Sequence, residues 1–213
     1  MSTTILLMRH GETAWNRGNI FRGQYDIPLN ENGRAQAAFL ARALAARRID
    51  AAYSSPLSRA QETADIVLAP HGIKAVIHAG LTDFDYGQWT KLEEHAVAQQ
   101  WPEAYACWRT VPHTVQIPGG DTLEMVFQRV FAAVEDLVQQ HLDQTLAIVA
   151  HRVVNKLLVL GMLALSLERF PFIRQDNCSL NEFERTEAGY AVISLNDTCH
   201  LRQGGADLLK ADF

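Results

Sequence analysis

Thr4-Ile5-Leu6-Leu7-Met8 runs into Arg9-His10-Gly11, a short apolar stretch that reads as a strand and stops abruptly at a basic pair and a glycine. An Ala-rich helical pattern follows at about residues 30–47, with Asn30 as its N-cap. The same arrangement recurs twice. Asp50-Ala51-Ala52-Tyr53 passes through Ser54-Ser55-Pro56 into Ser58-Arg59-Ala60-Gln61, where Ser58 and Gln61 have capping-box spacing and Arg59 falls in the helix's first turn. Leu146-Ala147-Ile148-Val149-Ala150 ends at His151-Arg152 and leads into an apolar helix over residues 153–167. Strand-then-helix units of this kind are the α/β signature, so the expected fold is a three-layer, doubly wound, mostly parallel sheet with helices on both faces. Ligands bind such sheets outside the carboxyl ends of the strands, which is where Arg9, His10, Arg59 and His151 should converge.

Between these units the sequence is less regular. Residues 91–118 are richer in Trp, His and Gln and read as a mostly helical insertion capping the site, within an otherwise single domain. Pro118-Gly119-Gly120 breaks the chain, and Asp121 and Glu124 have capping-box spacing at the head of a helix running to about Gln140. Residues 179–184 and 190–195 read as a hairpin turning at Glu187-Ala188-Gly189. No repeat, linker or low-complexity segment is visible.

With 213 residues, 48% of them hydrophobic and 20% charged, the chain has an ordinary globular composition. Its net charge of −5 gives no reason to expect nucleic acid or an anionic membrane as a partner. Cys107, Cys178 and Cys199 are odd in number and lack CxxC spacing, which argues against a disulfide framework and a cysteine zinc site. No signal peptide is readable and the apolar run at 157–165 is too short to span a bilayer, so a cytoplasmic protein is expected. The remaining histidines show no metal-ligand spacing, and no metal site is assigned. Oligomeric state cannot be read from the sequence.

One ordered set of motifs goes further. Arg9-His10-Gly11-Glu12-Thr13-Ala14-Trp15-Asn16 is followed by Arg59, by an acidic residue within Leu81-Thr82-Asp83-Phe84-Asp85-Tyr86-Gly87-Gln88-Trp89, by Pro118-Gly119-Gly120-Asp121-Thr122 and by His151. In these residues and their order the chain resembles, over nearly its whole length, the histidine phosphatase superfamily, which includes cofactor-dependent phosphoglycerate mutases and many phosphomonoesterases. The resemblance implies a phosphoglycerate mutase-like fold, a phosphohistidine formed at His10, a small phosphorylated substrate and no cofactor. Any one of these residues alone would more often be structural. The ordered set is what points to a phosphate site.

The residue types suit that chemistry. A neutral imidazole nitrogen can attack phosphorus and split one difficult displacement into two easier ones. Guanidiniums bind phosphate oxygens with a planar fork and disfavour protonation of a nearby imidazole, a role for Arg9 and Arg59. His151 would donate to a nonbridging oxygen and Asn16 would add a neutral donor. A carboxylic acid should protonate the leaving oxygen. Asp83 stands where the family usually has glutamate, with Asp85 as the second candidate.

Two further departures are basic: Arg152 replaces a common glycine and Arg22 a neutral polar residue. Either favours a substrate with more than one anionic group, or narrows the site. The expected activity is a metal-independent phosphomonoesterase acting on a small phosphorylated metabolite. The alternatives are a phosphoglycerate mutase-type phosphotransferase, a ribazole phosphate or sugar bisphosphate phosphatase and, outside enzymes, a phosphate-binding regulator with weak turnover.

Overall fold

The computed structural model describes residues 2–204. Strand β1 (Thr3–Arg9) lies at the heart of a six-stranded sheet of order β3-β2-β4-β1-β5-β6. β2 (Ala51–Ser54), β3 (Val76–Ile77) and β4 (Thr145–Ala150) run parallel to β1, whereas β5 (Leu180–Thr186) and β6 (Gly189–Asp197) form an antiparallel hairpin on the other side. This is the mostly parallel α/β architecture that the three strand-then-helix units predict.

Alternation of side chains along the central strands explains the two helical layers. Leu6, Met8, Ala147 and Val149 meet α2 (Glu31–Leu44) and α3 (Ser58–Leu68). Ile5, Leu7, Leu146, Ile148 and Ala150 share a second core with α6 (Leu123–Gln140) and α7 (Arg152–Met162). Both faces are covered, so β1 and β4 are unbroken apolar runs. The hairpin edge is more exposed, and Ile193 retains 57% of its accessible surface. The remaining α-helices among the described residues are short: α1 (Ala14–Arg17), α4 (Glu94–Gln100) and α5 (Pro102–Thr110). The last two lie within residues 91–118. Trp108 from α5 packs on Phe84, Tyr86 and Trp89 and ties that segment to the core. Among the described residues no helix is long and apolar enough to cross a membrane.

Local details differ from expectation where a distant partner outcompetes a sequence neighbour. Asn30 caps α2 as anticipated, its side chain accepting from the Gly33 amide at 2.8 Å, although the helix stops at Leu44. Ser58 is not an N-cap. It is the first residue of α3, and Asp26 accepts from both its amide and its hydroxyl at 2.8 Å. Thr122, not Asp121, caps α6, because the Asp121 carboxylate instead accepts from the Asp85 amide at 2.9 Å. Helix α7 ends at Met162, five residues before the expected 167, and Ala164 follows at φ 52°.

Gly11 and Gly33 fix how closely β1's exit loop approaches α2. A Cβ on Gly33 would sit 2.1 Å from the Glu12 carbonyl oxygen, and one on Gly11 would sit 2.5 Å from the Gly33 oxygen. Alanine gains about 1 kcal/mol over glycine in a helix interior, but overlap with rigid backbone costs more than that gain. Gly33→Ala is therefore expected to destabilise the fold by about 2 kcal/mol net, read as a lower urea midpoint. An unchanged or raised midpoint would show that the loop has room to retreat.

Candidate active site

β1 and β4 pair in register, with Arg9 opposite Ala150, so the next residue of each strand, His10 and His151, emerges at the same level. Parallel neighbours lie about 4.8 Å apart, and the two imidazole centroids are 5.2 Å apart, inclined at 57°. Both rings are fully buried. The His10 amide donates to the Ala150 carbonyl at 3.0 Å, while the His10 carbonyl accepts from the Asn177 side chain at 3.1 Å.

The rings are presented in opposite senses. His10 Nδ1 is 2.7 Å from the Gly11 carbonyl oxygen, which can only accept, so Nδ1 carries the hydrogen and Nε2 has the lone pair. Nε2 is buried and has no hydrogen-bond partner. His151 Nε2 is 2.7 Å from Ser55 Oγ, which already accepts from the Leu57 amide at 3.3 Å. The Asp83 carboxylate, which can only accept, lies 3.5 Å from His151 Nδ1, so Nδ1 carries the hydrogen and Nε2 accepts from the Ser55 hydroxyl. One histidine offers a nucleophilic lone pair and the other a donor.

Both imidazoles are held neutral. Burial, then the charges of Arg59, Arg9 and Arg22, push His10 well below its ordinary value. Burial pulls His151 down to about 3, with Asp83 opposing and the same arginines reinforcing. Arg9 is fully buried at the end of β1 and donates to the Gln175 carbonyl at 2.7 Å. Arg59 lies in the first turn of α3, as its spacing suggested. Its Nη2 bonds the Gly23 carbonyl at 2.7 Å and Asp83 at 3.0 Å, its Nη1 the Tyr25 carbonyl at 3.1 Å, and its buried Nε has no partner. Burial lowers it to about 10, so it stays charged near neutrality.

The less specific candidates separate. Arg22 is buried and its charge bears on His10, Arg59, Asp83 and His151 alike. Arg152 is not among the charges that bear most on the imidazoles; it faces Tyr86 in a small cavity that Arg22 and Asp83 also line. The Asn16 oxygen accepts from the Thr13 amide and hydroxyl at 2.8 and 2.9 Å, so only its amide nitrogen has hydrogens to offer a ligand. Asp83 is buried beside Arg59 and His151. Burial would raise its carboxyl, but His151, Arg59, Arg22 and the Phe84 amide outweigh this and hold it ionised. Asp85 does not join the group: its carboxylate accepts from the Gly87 amide at 2.9 Å and shapes the turn.

Three contributors went unassigned in the sequence. Ser55 donates to His151 Nε2, while Gln175 and Asn177 brace Arg9 and His10 from the loop before β5. Gln175 is itself held by the buried Asn181 amide. The Ser54-Ser55-Pro56 strand end was a signal for the first. The others come from a polar stretch with no periodicity.

Residues 5–198 match the histidine phosphatase superfamily (branch 1). The chain belongs to this family. Histidine phosphatases in the wider sense include the phosphatases and mutases that it resembles, and it is an enzyme of that kind, with phosphorylated small molecules as the substrate class. Phosphoserine phosphatase 1 of Hydrogenobacter thermophilus is 30% identical over 97% of this chain and 98% of its own length. A 2,3-bisphosphoglycerate-dependent phosphoglycerate mutase of Bartonella bacilliformis is 34% identical over 79% of this chain and 85% of its own. Among solved structures, Bacillus stearothermophilus YhfR superimposes with a TM-score of 0.90 at 31% identity, covering 93% of this chain and 99% of that one. A mycobacterial glucosyl-3-phosphoglycerate phosphatase gives 0.85 at 25%, covering 92% and 99%.

Neutral buried imidazoles set a pH dependence. The unfolded chain takes up protons at these histidines as pH falls below 6.5, whereas the native pocket refuses them, down to about 3 at His151. Native-state stability is therefore fully retained above pH 6.5 and is lost progressively as pH falls from 6.5 toward about 3. Nitrogen NMR at pH 5 should show both rings neutral and Nδ1-protonated. Titration of either ring near 6.5 would contradict the assignment.

Proposed function

We propose that this histidine phosphatase is a phosphomonoesterase that forms a phosphohistidine at His10 Nε2 and hydrolyses it, releasing phosphate from a small phosphorylated metabolite. The observation that carries this reading is the unpartnered, neutral Nε2 of His10, facing His151 and lying within the combined field of Arg9, Arg22 and Arg59. Hydrolysis rather than mutation is favoured by coverage: the phosphoserine phosphatase matches 97% of this chain, the Bartonella mutase 79%. Residues 91–118 are taken as the cap over the site.

In this mechanism the guanidiniums of Arg9 and Arg59 hold the phosphoryl oxygens, Arg22 adds positive charge, and Asn16 contributes its amide nitrogen. His10 Nε2 attacks phosphorus in line with the ester oxygen, which departs as the alcohol. His151 Nδ1–H donates to a nonbridging oxygen throughout. Asp83 supplies the leaving oxygen's proton and later takes one from the attacking water. Arg59 and Arg22 face Asp83 and hold it as a carboxylate before substrate binds. An arriving phosphate engages those same guanidiniums and places negative charge beside the carboxylate, so Asp83 gains the proton as substrate binds. The arginines give the charge neutralisation a metal would otherwise provide, and turnover is expected to persist in EDTA.

Phosphate release from a panel of phosphorylated metabolites, alongside a phosphoglycerate mutase assay, tests the reading. His10→Ala should lower phosphate release by at least ~10³-fold. Near wild-type turnover in that variant would remove His10 from the mechanism. Asp83→Asn should slow alkyl phosphates by roughly 10²- to 10⁴-fold while affecting p-nitrophenyl phosphate far less, because nitrophenolate departs with little protonation. Asp83→Glu should be tolerated. The same changes at Asp85 should show no leaving-group dependence. Equal loss on both ester classes for Asp83→Asn would assign Asp83 a positional role.

A further inference from the structure

Beyond the phosphoryl pocket lies a cavity of about 210 Å³ lined by Trp108, Arg109, Arg152, Lys156, Phe170 and Pro171, together with Pro112. Arg152 links the two spaces, since it also lines the small cavity shared by Arg22, Asp83 and Tyr86. It is the first residue of α7, immediately after His151. Lys156 follows four residues later on the same helix face, about 6 Å along the axis.

The surroundings of Lys156 are unusual for a lysine. Its ammonium rests on the face of Phe170, 4.1 Å from the ring centroid, and no carboxylate among the described residues pairs with it. Burial first, and then the charges of Arg152 and Arg9, bring it down to about 7. A cation in that setting is poorly stabilised, and an anion entering the cavity would stabilise it. Trp108, Phe170 and Pro171 form apolar walls that limit water and strengthen such a pairing. Arg109 closes the rim while bonded to Glu94 at 3.0 Å.

We infer that this cavity seats a second anionic group of the substrate, a carboxylate or a phosphate, held by Lys156 with Arg152 about one helical turn from the phosphoryl group being transferred. The enzyme is accordingly selective for small phosphate esters with an anion at the far end of a short carbon skeleton. The Phe170 ring keeps the ammonium in place, so little side-chain freedom is lost on binding. This inference rests on the phosphatase reading above.

The test compares matched esters: 3-phosphoglycerate against glycerol 3-phosphate for a second carboxylate, and propane-1,3-diol bisphosphate against propyl phosphate for a second phosphate. The ratio of kcat/KM within each pair is measured for the wild type and for Lys156→Met. In at least one pair the doubly anionic member should be preferred by about tenfold or more, and Lys156→Met should erase most of that preference. The pair affected identifies the second group. Lys156→Arg, which keeps the charge, should retain part of the preference. Hydrolysis with no preference, or with one unchanged in Lys156→Met, overturns the subsite and leaves the phosphatase reading intact. If no ester is hydrolysed the phosphatase reading fails, and calorimetric dissociation constants for the same ligands then decide the subsite by the same ratio.

Discussion

Everything in the site depends on the in-register parallel pairing of β1 with β4. Because Arg9 stands opposite Ala150, the strands end together, and two histidines far apart in sequence come within one strand spacing of each other. A one-residue slip would send every side chain of the shifted strand to the other face, costing both cores at once. The site's geometry is thus secured by how Ile5 to Met8 and Leu146 to Ala150 divide their side chains between the two cores. Gly11 and Gly33 add a second constraint, locking the loop after His10 against α2 by backbone contact.

On that frame the pocket separates two jobs that one residue type could confuse. His10 and His151 are both neutral, both protonated at Nδ1, and both buried, yet one presents a lone pair and the other a hydrogen. The difference arises from hydrogen-bond partners: the Gly11 carbonyl for His10 and the Ser55 hydroxyl for His151. Burial, reinforced by three arginines, keeps the rings unprotonated, and Asp83 offsets part of that positive charge. In the proposed mechanism phosphate replaces one anionic partner of the arginines with another, so they need not be desolvated anew when substrate enters.

The sequence made the sheet legible because β1 and β4 are continuous apolar runs, and made His10, Arg9, Arg59 and His151 legible because they punctuate strand and helix ends. What it could not show was long-range hydrogen bonding. Ser58 looked like a cap until Asp26 arrived from another loop, and Asp121 looked like one until Asp85 claimed its carboxylate. Spacing ranked Asp83 ahead of Asp85 without excluding the second, and the fold sets them apart: Asp83 is buried beside Arg59, whereas Asp85 binds the Gly87 amide. Gln175 and Asn177 left no pattern at all, since Gln175 offers its backbone carbonyl to the Arg9 guanidinium and Asn177 its side-chain amide to the His10 carbonyl, both at the other end of the chain. Arg22 and Arg152 both read as added charge. The fold places the first against the imidazoles and the second at the entrance to a neighbouring cavity.

The central claim is that phosphorus undergoes two successive in-line displacements, the first by His10 Nε2 and the second by water. The stereochemical course at phosphorus tests this most directly, using a thiophosphate ester made chiral by isotopic labelling and hydrolysed in labelled water. Each displacement inverts the centre, so passage through a phosphohistidine gives net retention. Net inversion would mean that water attacks the ester directly and that His10 is not the nucleophile.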